Sequence, residues 1–129
     1  QRLEIIYKLV NFYKLDLILD PKTSQISPGN FIKFNFLCKE YDISPINNFV
    51  GNLSLLIDIY KNKKDIFIIN LAFYLADQYL KNIKDKKILK NDKVFEIKNY
   101  ITDNLNNFIL HNINQKSFIN AVNDKLNYE

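Results

Sequence analysis

The stretch Ser-Pro-Gly-Asn-Phe at residues 27–31 decides how this chain is interpreted. A serine hydroxyl suits the position before a helix, where it accepts a hydrogen bond from a free backbone N–H. Proline suits the first helical position, since its missing N–H costs nothing there. The sequence has two glycines and three prolines, and one of each stands here. Ser27, Pro28 and Gly29 therefore predict a helix start with little freedom, which would act as a fixed structural joint.

On both sides of this joint, apolar residues recur at intervals of three and four, the spacing of one helix face. Turn residues interrupt the pattern at 15–26, and a charged connector is predicted at 81–92. The nearest approach to strand-like alternation is Leu15 to Leu17. The sequence predicts an all-α fold, an antiparallel bundle of about six helices. The residues predicted to face inward are Leu3, Ile6, Val10, Tyr13, Phe31, Phe34, Leu37, Cys38, Ile46, Phe49, Val50, Leu53, Ile57, Tyr60, Val94, Ile97, Ile101, Leu105, Phe108, Phe118, Val122 and Leu126.

Other helix starts use the same chemistry. Ser44 and Pro45 repeat the serine–proline pair, and Asp65 is a capping residue for the segment that follows it. Asp92 starts a further helix, and the last one is capped by Asn112 or Asn114.

Residues 66–80 are apolar on nearly every side, which is typical of a central, buried helix. Residues 66–69 alone would also fit a buried strand. A helix is favoured because the apolar run continues beyond the usual length of a strand.

The composition limits what can be concluded from charge. Asparagine, isoleucine and lysine are the most abundant residues, as in proteins of AT-rich genomes, and Arg2 is the only arginine. The net charge of +4 fits an acidic partner or nucleic acid, but such a genome gives the same balance without one. Because the sequence has no methionine, we expect it to be a processed piece of a longer chain.

Two further features predict a cytoplasmic location and no membrane partner. The longest apolar run, residues 66–76, is shorter than the roughly 20 residues that a membrane-spanning helix needs. The single cysteine, Cys38, allows no intrachain disulfide, which fits a reducing compartment.

Few residues could carry chemistry. His111, the only histidine, is expected near a helix end, and Cys38 on an apolar helix face, where a cysteine is a small hydrophobic residue. Asp16 and Asp20 could form a carboxylate pair, although aspartates in a turn are more often capping residues. One histidine and one cysteine make a poor zinc site, and two glycines make no phosphate-binding loop. We expect no catalytic residue, metal, cofactor or small-molecule substrate, and therefore no enzyme.

The segment from Lys81 to Lys93 carries the strongest local charge, with six lysines against Asp85 and Asp92. Lysines of this kind can contact phosphates. Because this segment contains no aromatic residue on which a base could stack, a solvated loop is favoured over a specific nucleic-acid site.

The tyrosines favour binding to a protein partner. Most aromatic residues follow the inward stripes, but Tyr41, Tyr79, Tyr100 and Tyr128 do not. Tyrosine is common at interfaces because it combines apolar area with a polar tip. We predict Tyr79 and Tyr100 as interface anchors.

The joint at residues 27–31 resembles the serine–proline–glycine joint of bacterial DNA polymerase III clamp-loader subunits, most closely the delta-prime family. Residues 111–116, followed by Phe118, Ile119, Val122 and Leu126, resemble the closing turn and last helix of that family, and residues 75–78 resemble a segment within its domain.

The resemblance covers residues 27–129 and implies a helical collar domain, with residues 1–26 as an N-terminal helix and connector that belong either to this domain or to the end of a preceding lid domain. In that family the ATPase-like domains lie upstream. The collar holds the loader subunits together, contacts DNA only indirectly and catalyses no reaction. The expected function is thus assembly with other clamp-loader subunits. The alternative is a helical protein–protein interaction module of an unrelated system, and a small helical enzyme is disfavoured.

Overall fold

The computed structural model describes residues 1–22, 26–45, 48–86, 90–110 and 114–127. Within these ranges the chain forms six helices and no strand, which confirms the predicted all-α fold. The predicted residues Ile46 and Lys87 and the side chain of Phe108 lie outside the description, as do His111, Asn112 and Tyr128. The helices are α1 (Arg2–Tyr13), α2 (Pro28–Glu40), α3 (Phe49–Lys63), α4 (Ile66–Asp85), α5 (Asn91–Leu110) and α6 (Gln115–Asn127).

The chain divides into two compact units, Gln1–Asn47 and Asn48–Glu129. The first unit contains α1 and α2, and the second contains α3 to α6. The division that the sequence suggested, 1–26 and 27–129, stays a prediction about domains. The compact unit that contains α1 also contains α2.

In the first unit, α1 packs against α2. Each helix contributes apolar residues at helical spacing, as the sequence predicted, and burial of such residues is the main stabilising term. Tyr13 is an exception, because 54% of its surface is exposed although it was predicted to face inward. The buried apolar residues of the two helices are Ile6, Val10, Phe31, Ile32, Phe34 and Cys38.

The connector between α1 and α2 is held by a buried amide. Asn35 of α2 is 1% exposed, and its Oδ1 accepts hydrogen bonds from the backbone N–H of Ile18 (2.8 Å) and Leu19 (3.0 Å). Its Nδ2 donates to the carbonyl of Asp16 at 2.8 Å. A buried amide with its partners in place adds specificity without the cost of an unpaired polar group.

The only arginine holds a later part of the same connector. The guanidinium of Arg2, in the first turn of α1, donates to the carbonyls of Ile26 (2.5 Å) and Pro21 (2.6 Å). The connector is therefore fastened to both helices of its unit.

In the second unit each helix contacts two others in a cycle. Helix α3 packs on α4, α4 on α5, α5 on α6, and α6 on α3. Short connections between successive helices make neighbours antiparallel, so this unit is a four-helix bundle. Its core includes Leu53, Leu56 and Ile57 of α3, Ile69, Leu71 and Leu75 of α4, Ile97, Ile101 and Leu105 of α5, and Phe118 and Val122 of α6.

Two predicted boundaries were wrong. The serine–proline pair at Ser44 does not start a helix, since α3 begins at Phe49 after Asn48, whose backbone is left-handed (φ 57°). The predicted connector 81–92 is largely helical: α4 continues to Asp85 and α5 begins at Asn91. Lys84 and Asp85 are exposed in the last turn of α4, but Ile83 beside them is buried, so the helix continues with an apolar contact that the charged residues concealed.

Residues 66–80 are helical, but they are not apolar on every side. Ile66 is 48% exposed, and Asn70 and Asp77 are also exposed, which gives α4 a narrow solvent-facing strip that is partly polar. The expectation of a helix buried all round was wrong because a helix in a four-membered cycle keeps one side in solvent. Leu71, Ala72 and Leu75 lie on the buried side.

The predicted caps of α2, α4 and α6 are confirmed. The side chain of Ser27 accepts from the N–H of Asn30 at 3.3 Å, and Pro28 begins the helix. Asp65 accepts from the N–H of Phe67 at 3.0 Å. Asn114 accepts from the N–H of Ser117 at 3.0 Å.

Gly29 has no structural need to be a glycine. A methyl group at Gly29 would meet no atom within 4 Å, and its φ is not positive. The defined start of α2 therefore comes from Ser27 and Pro28.

We expect Gly29→Ala to raise the free energy of unfolding by about 0.5–1 kcal/mol, because alanine loses less backbone entropy in a helix. The measurement is the urea midpoint. Gly51→Ala is the matched control, since its methyl would lie 2.6 Å from the Asn48 side chain and should bring a smaller gain or a loss. A destabilised Gly29→Ala would contradict the open geometry.

Candidate association surfaces

Helix α1 carries a second apolar stripe beside the one that packs on α2. Ile5, Leu9 and Phe12 recur at intervals of four and three, so they lie along one line of the helix. Phe12 is 77% exposed, Ile5 is 48% exposed and Leu9 is half-buried. The ring of Tyr13 meets that of Phe12 edge to face at 5.0 Å. These four residues form what we call the α1 outer face, which was not predicted because the inward stripe of this helix was already assigned to Leu3, Ile6, Val10 and Tyr13.

The two predicted interface tyrosines are half-buried within the second unit. Tyr79 of α4 stacks on Phe49, with ring centroids 4.5 Å apart and an angle of 12° between the planes. Tyr100 of α5 stacks on Phe118 at 6.1 Å, and the ammonium of Lys125 lies 4.8 Å from its centroid. These contacts take up part of each ring. Their role as interface anchors stays a prediction.

Lysines and an aromatic residue share a surface formed by α4 and α5. Lys81 and Lys84 lie on α4, and Lys86 and Lys90 lie at the ends of the connection to α5. All four are exposed, and so is 66% of Phe95 in the second turn of α5. We call these five residues the lysine–phenylalanine face. Phe95 is the aromatic residue that the segment from Lys81 to Lys93 lacked, and it lies just beyond its end.

The candidates for catalysis are separated or engaged elsewhere. Asp16 forms an ion pair with Lys39 (2.7 Å), and this hydrogen bond and charge lower the pKa of the Asp16 carboxyl. Asp20 accepts from the backbone N–H of Lys22 at 2.9 Å, as a turn residue does. Cys38 is fully buried, and loss of hydration raises the pKa of its thiol to about 12, so it stays protonated near neutrality. His111 lies outside the described residues.

An open groove of about 490 Å³ lies between α3 and the start of α6. Gln115 crosses its edge, with Nε2 donating to Asp58 Oδ1 (2.8 Å) and to the carbonyl of Ser54 (3.3 Å). Lys61 and Lys116 also line it. In the part of the chain that the structure describes, no three acidic, cysteine or histidine side chains are grouped as a metal site would require.

Comparisons of the chain with protein-family models, curated proteins and solved structures found no match. The resemblance to clamp-loader subunits therefore rests on residues 27–31, 75–78 and 111–116 and on the apolar residues of the last helix. Of the helices described, none has the length and apolar character needed to cross a bilayer.

Proposed function

We propose that this chain is a non-catalytic association module that binds a protein partner through the α1 outer face. The observation that carries the proposal is the width of the apolar surface on α1. Ile6 and Val10 are covered within the unit, while Ile5 and Phe12 on the adjoining line are exposed. An exposed apolar stripe beside a packed one favours a partner, because contiguous exposed apolar patches larger than a few hundred Å² commonly mark interaction sites.

The partner that the proposal names is a subunit of a bacterial clamp loader in the cytoplasm. It rests on the resemblance at residues 27–31 and at the chain end. A feature of Gly29 fits this assignment: with open space where a side chain would stand, the glycine leaves room for another chain to come close. In this role the module would assemble the loader, with Tyr79 and Tyr100 as further anchors.

The test is association of the purified chain with purified loader subunits encoded in the same genome, measured by sedimentation velocity. Replacing both Ile5 and Phe12 by serine should weaken the complex by at least about tenfold, because exposed aromatic anchors commonly contribute more than 1 kcal/mol. The thermal midpoint should change little through Phe12, which is 77% exposed, and should fall modestly through Ile5, which is only 48% exposed.

Leu55→Ser on α3 is the matched control, because Leu55 is also exposed (37%) but belongs to the other unit. This variant should bind as the parent does. Gly29→Ala, with its fold retained, tests whether the joint contacts the partner. If no loader subunit binds the folded parent chain, the clamp-loader assignment is wrong. If the chain then self-associates and the double serine variant does not, the general association module stands.

A further inference from the structure

An exposed ion pair shows which residues of α4 and α5 lie level with each other. Lys98 Nζ lies 3.0 Å from Asp77 Oδ1. Because the two helices are antiparallel neighbours, a step toward the end of α4 is a step toward the start of α5. This places Lys81 level with Phe95, and Lys84 level with Asn91.

The result is two parallel lines of exposed residues on one surface. On α4 the line is Asp77, Lys81 and Lys84, and on α5 it is Lys98, Phe95 and Asn91. Residues three and four apart on a helix lie about 5–6 Å from each other. Beyond the ion pair, the positively charged Lys81 and Lys84 lie beside the exposed ring of Phe95.

The lysine charges are available to a ligand. Lys98 pairs with Asp77, whereas Lys81, Lys84, Lys86 and Lys90 form no ion pair with any described residue. Asp85 and Asp92 are exposed nearby and reduce the positive field. The Asp92 carboxylate accepts from the N–H of Lys93 at the start of α5. The remaining excess of lysine favours a negatively charged ligand.

Phe95 adds a second requirement. Its ring is 66% exposed and forms no ring contact with another aromatic residue in the described chain. A simple anion would gain no favourable contact from this exposed ring. A ligand that matches both features alternates negative charge with flat apolar groups.

We propose that the lysine–phenylalanine face binds single-stranded nucleic acid, with phosphates along the lysines and one base stacked on Phe95. Proteins that hold single strands without sequence preference combine a basic track with an aromatic ring in this way. Lysine suits this task, since it acts as a point charge and needs no fixed hydrogen-bond geometry. The proposal differs from the expectation of indirect DNA contact, and it does not depend on the α1 outer face.

The experiment is fluorescence anisotropy of a labelled oligothymidylate of about 20 nucleotides, longer than one such site usually covers. Binding should be weak and should fall steeply as salt rises from about 50 to 200 mM, because bound lysines release counterions. Phe95→Ala should weaken binding at least about fivefold, since stacking of one base contributes about 1–3 kcal/mol. Replacing Lys81 and Lys84 by glutamine should reduce the slope of log K against log salt by about 1.4.

The controls distinguish binding at the lysine–phenylalanine face from non-specific attraction by lysines elsewhere on the chain. Lys61→Gln with Lys116→Gln removes two exposed lysines elsewhere in the same unit, and Phe12→Ala removes the most exposed aromatic of the other. Both should bind the oligonucleotide with little change in affinity, and the salt slope of Phe12→Ala should match that of the parent. Equal loss in the lysine control, or unchanged affinity in Phe95→Ala, would overturn the proposal. So would equal competition by polyglutamate, which would point to an acidic protein, or equal binding to vesicles of anionic lipid.

Discussion

Replacing Leu71 by aspartate is expected to abolish cooperative unfolding of the four-helix unit. Leu71 is fully buried in α4, between the contacts of that helix with α3 and α5. An unpaired buried charge costs several kcal/mol, which is comparable to the whole stability of a small domain. Thermal unfolding followed by circular dichroism gives the measurement.

Two further variants make the Leu71 result specific. Asn70→Asp adds the same charge one residue earlier on the exposed strip of α4, and the free energy of unfolding should change by no more than about 0.5 kcal/mol. Leu71→Ala should cost about 2–5 kcal/mol and keep a measurable transition. An unchanged thermal midpoint in Leu71→Asp would show that α4 is not packed as described.

Replacing Asn35 by alanine is expected to lower the free energy of unfolding of the first unit by about 2–4 kcal/mol. The change leaves the N–H groups of Ile18 and Leu19 without their acceptor, and an unsatisfied buried donor costs about 1–3 kcal/mol. Hydrogen exchange of these two amides is the direct measurement, because protection should fall at both.

Asn30→Ala is the matched control on the same helix, since Asn30 is exposed. Its stability and the exchange at Ile18 and Leu19 should equal those of the parent. Retained protection of both amides in Asn35→Ala would mean that another group holds the connector.

The sequence predicted what depends on neighbours along the chain. Helix spacing identified much of the core, although it missed Ile32 of α2 and Leu56 and Ile59 of α3. The caps at Ser27, Asp65 and Asn114 follow from side chains that bond to the next turn. The predicted start of α3 was wrong because the serine–proline pair at Ser44 indicates only a local preference. The helix begins instead at Phe49.

Contacts between residues that are distant in the sequence could not be predicted from local spacing. Asn35 reaches residues 16–19, and Arg2 reaches a carbonyl 24 residues away, but neither pairing has a spacing that could be recognised. The stacking of Tyr79 on Phe49 is also long-range, so the position of Tyr79 off the inward stripes suggested an exposed ring. The α1 outer face could have been found, since the spacing of Ile5, Leu9 and Phe12 is visible in the sequence.

The hydrogen bonds that hold the connector to both α1 and α2 affect how fast a partner could bind. Arg2 bonds to the carbonyls of Pro21 and Ile26, and Asn35 bonds to residues 16, 18 and 19, so exchange of α1 with the same helix of a second molecule would first have to break these hydrogen bonds. Binding at the α1 outer face would thus be the docking of a preformed surface, without a refolding step. Association rate constants would then fall in the ordinary range of about 10⁵–10⁷ M⁻¹s⁻¹, and differences in affinity between variants would appear in the lifetime of the complex.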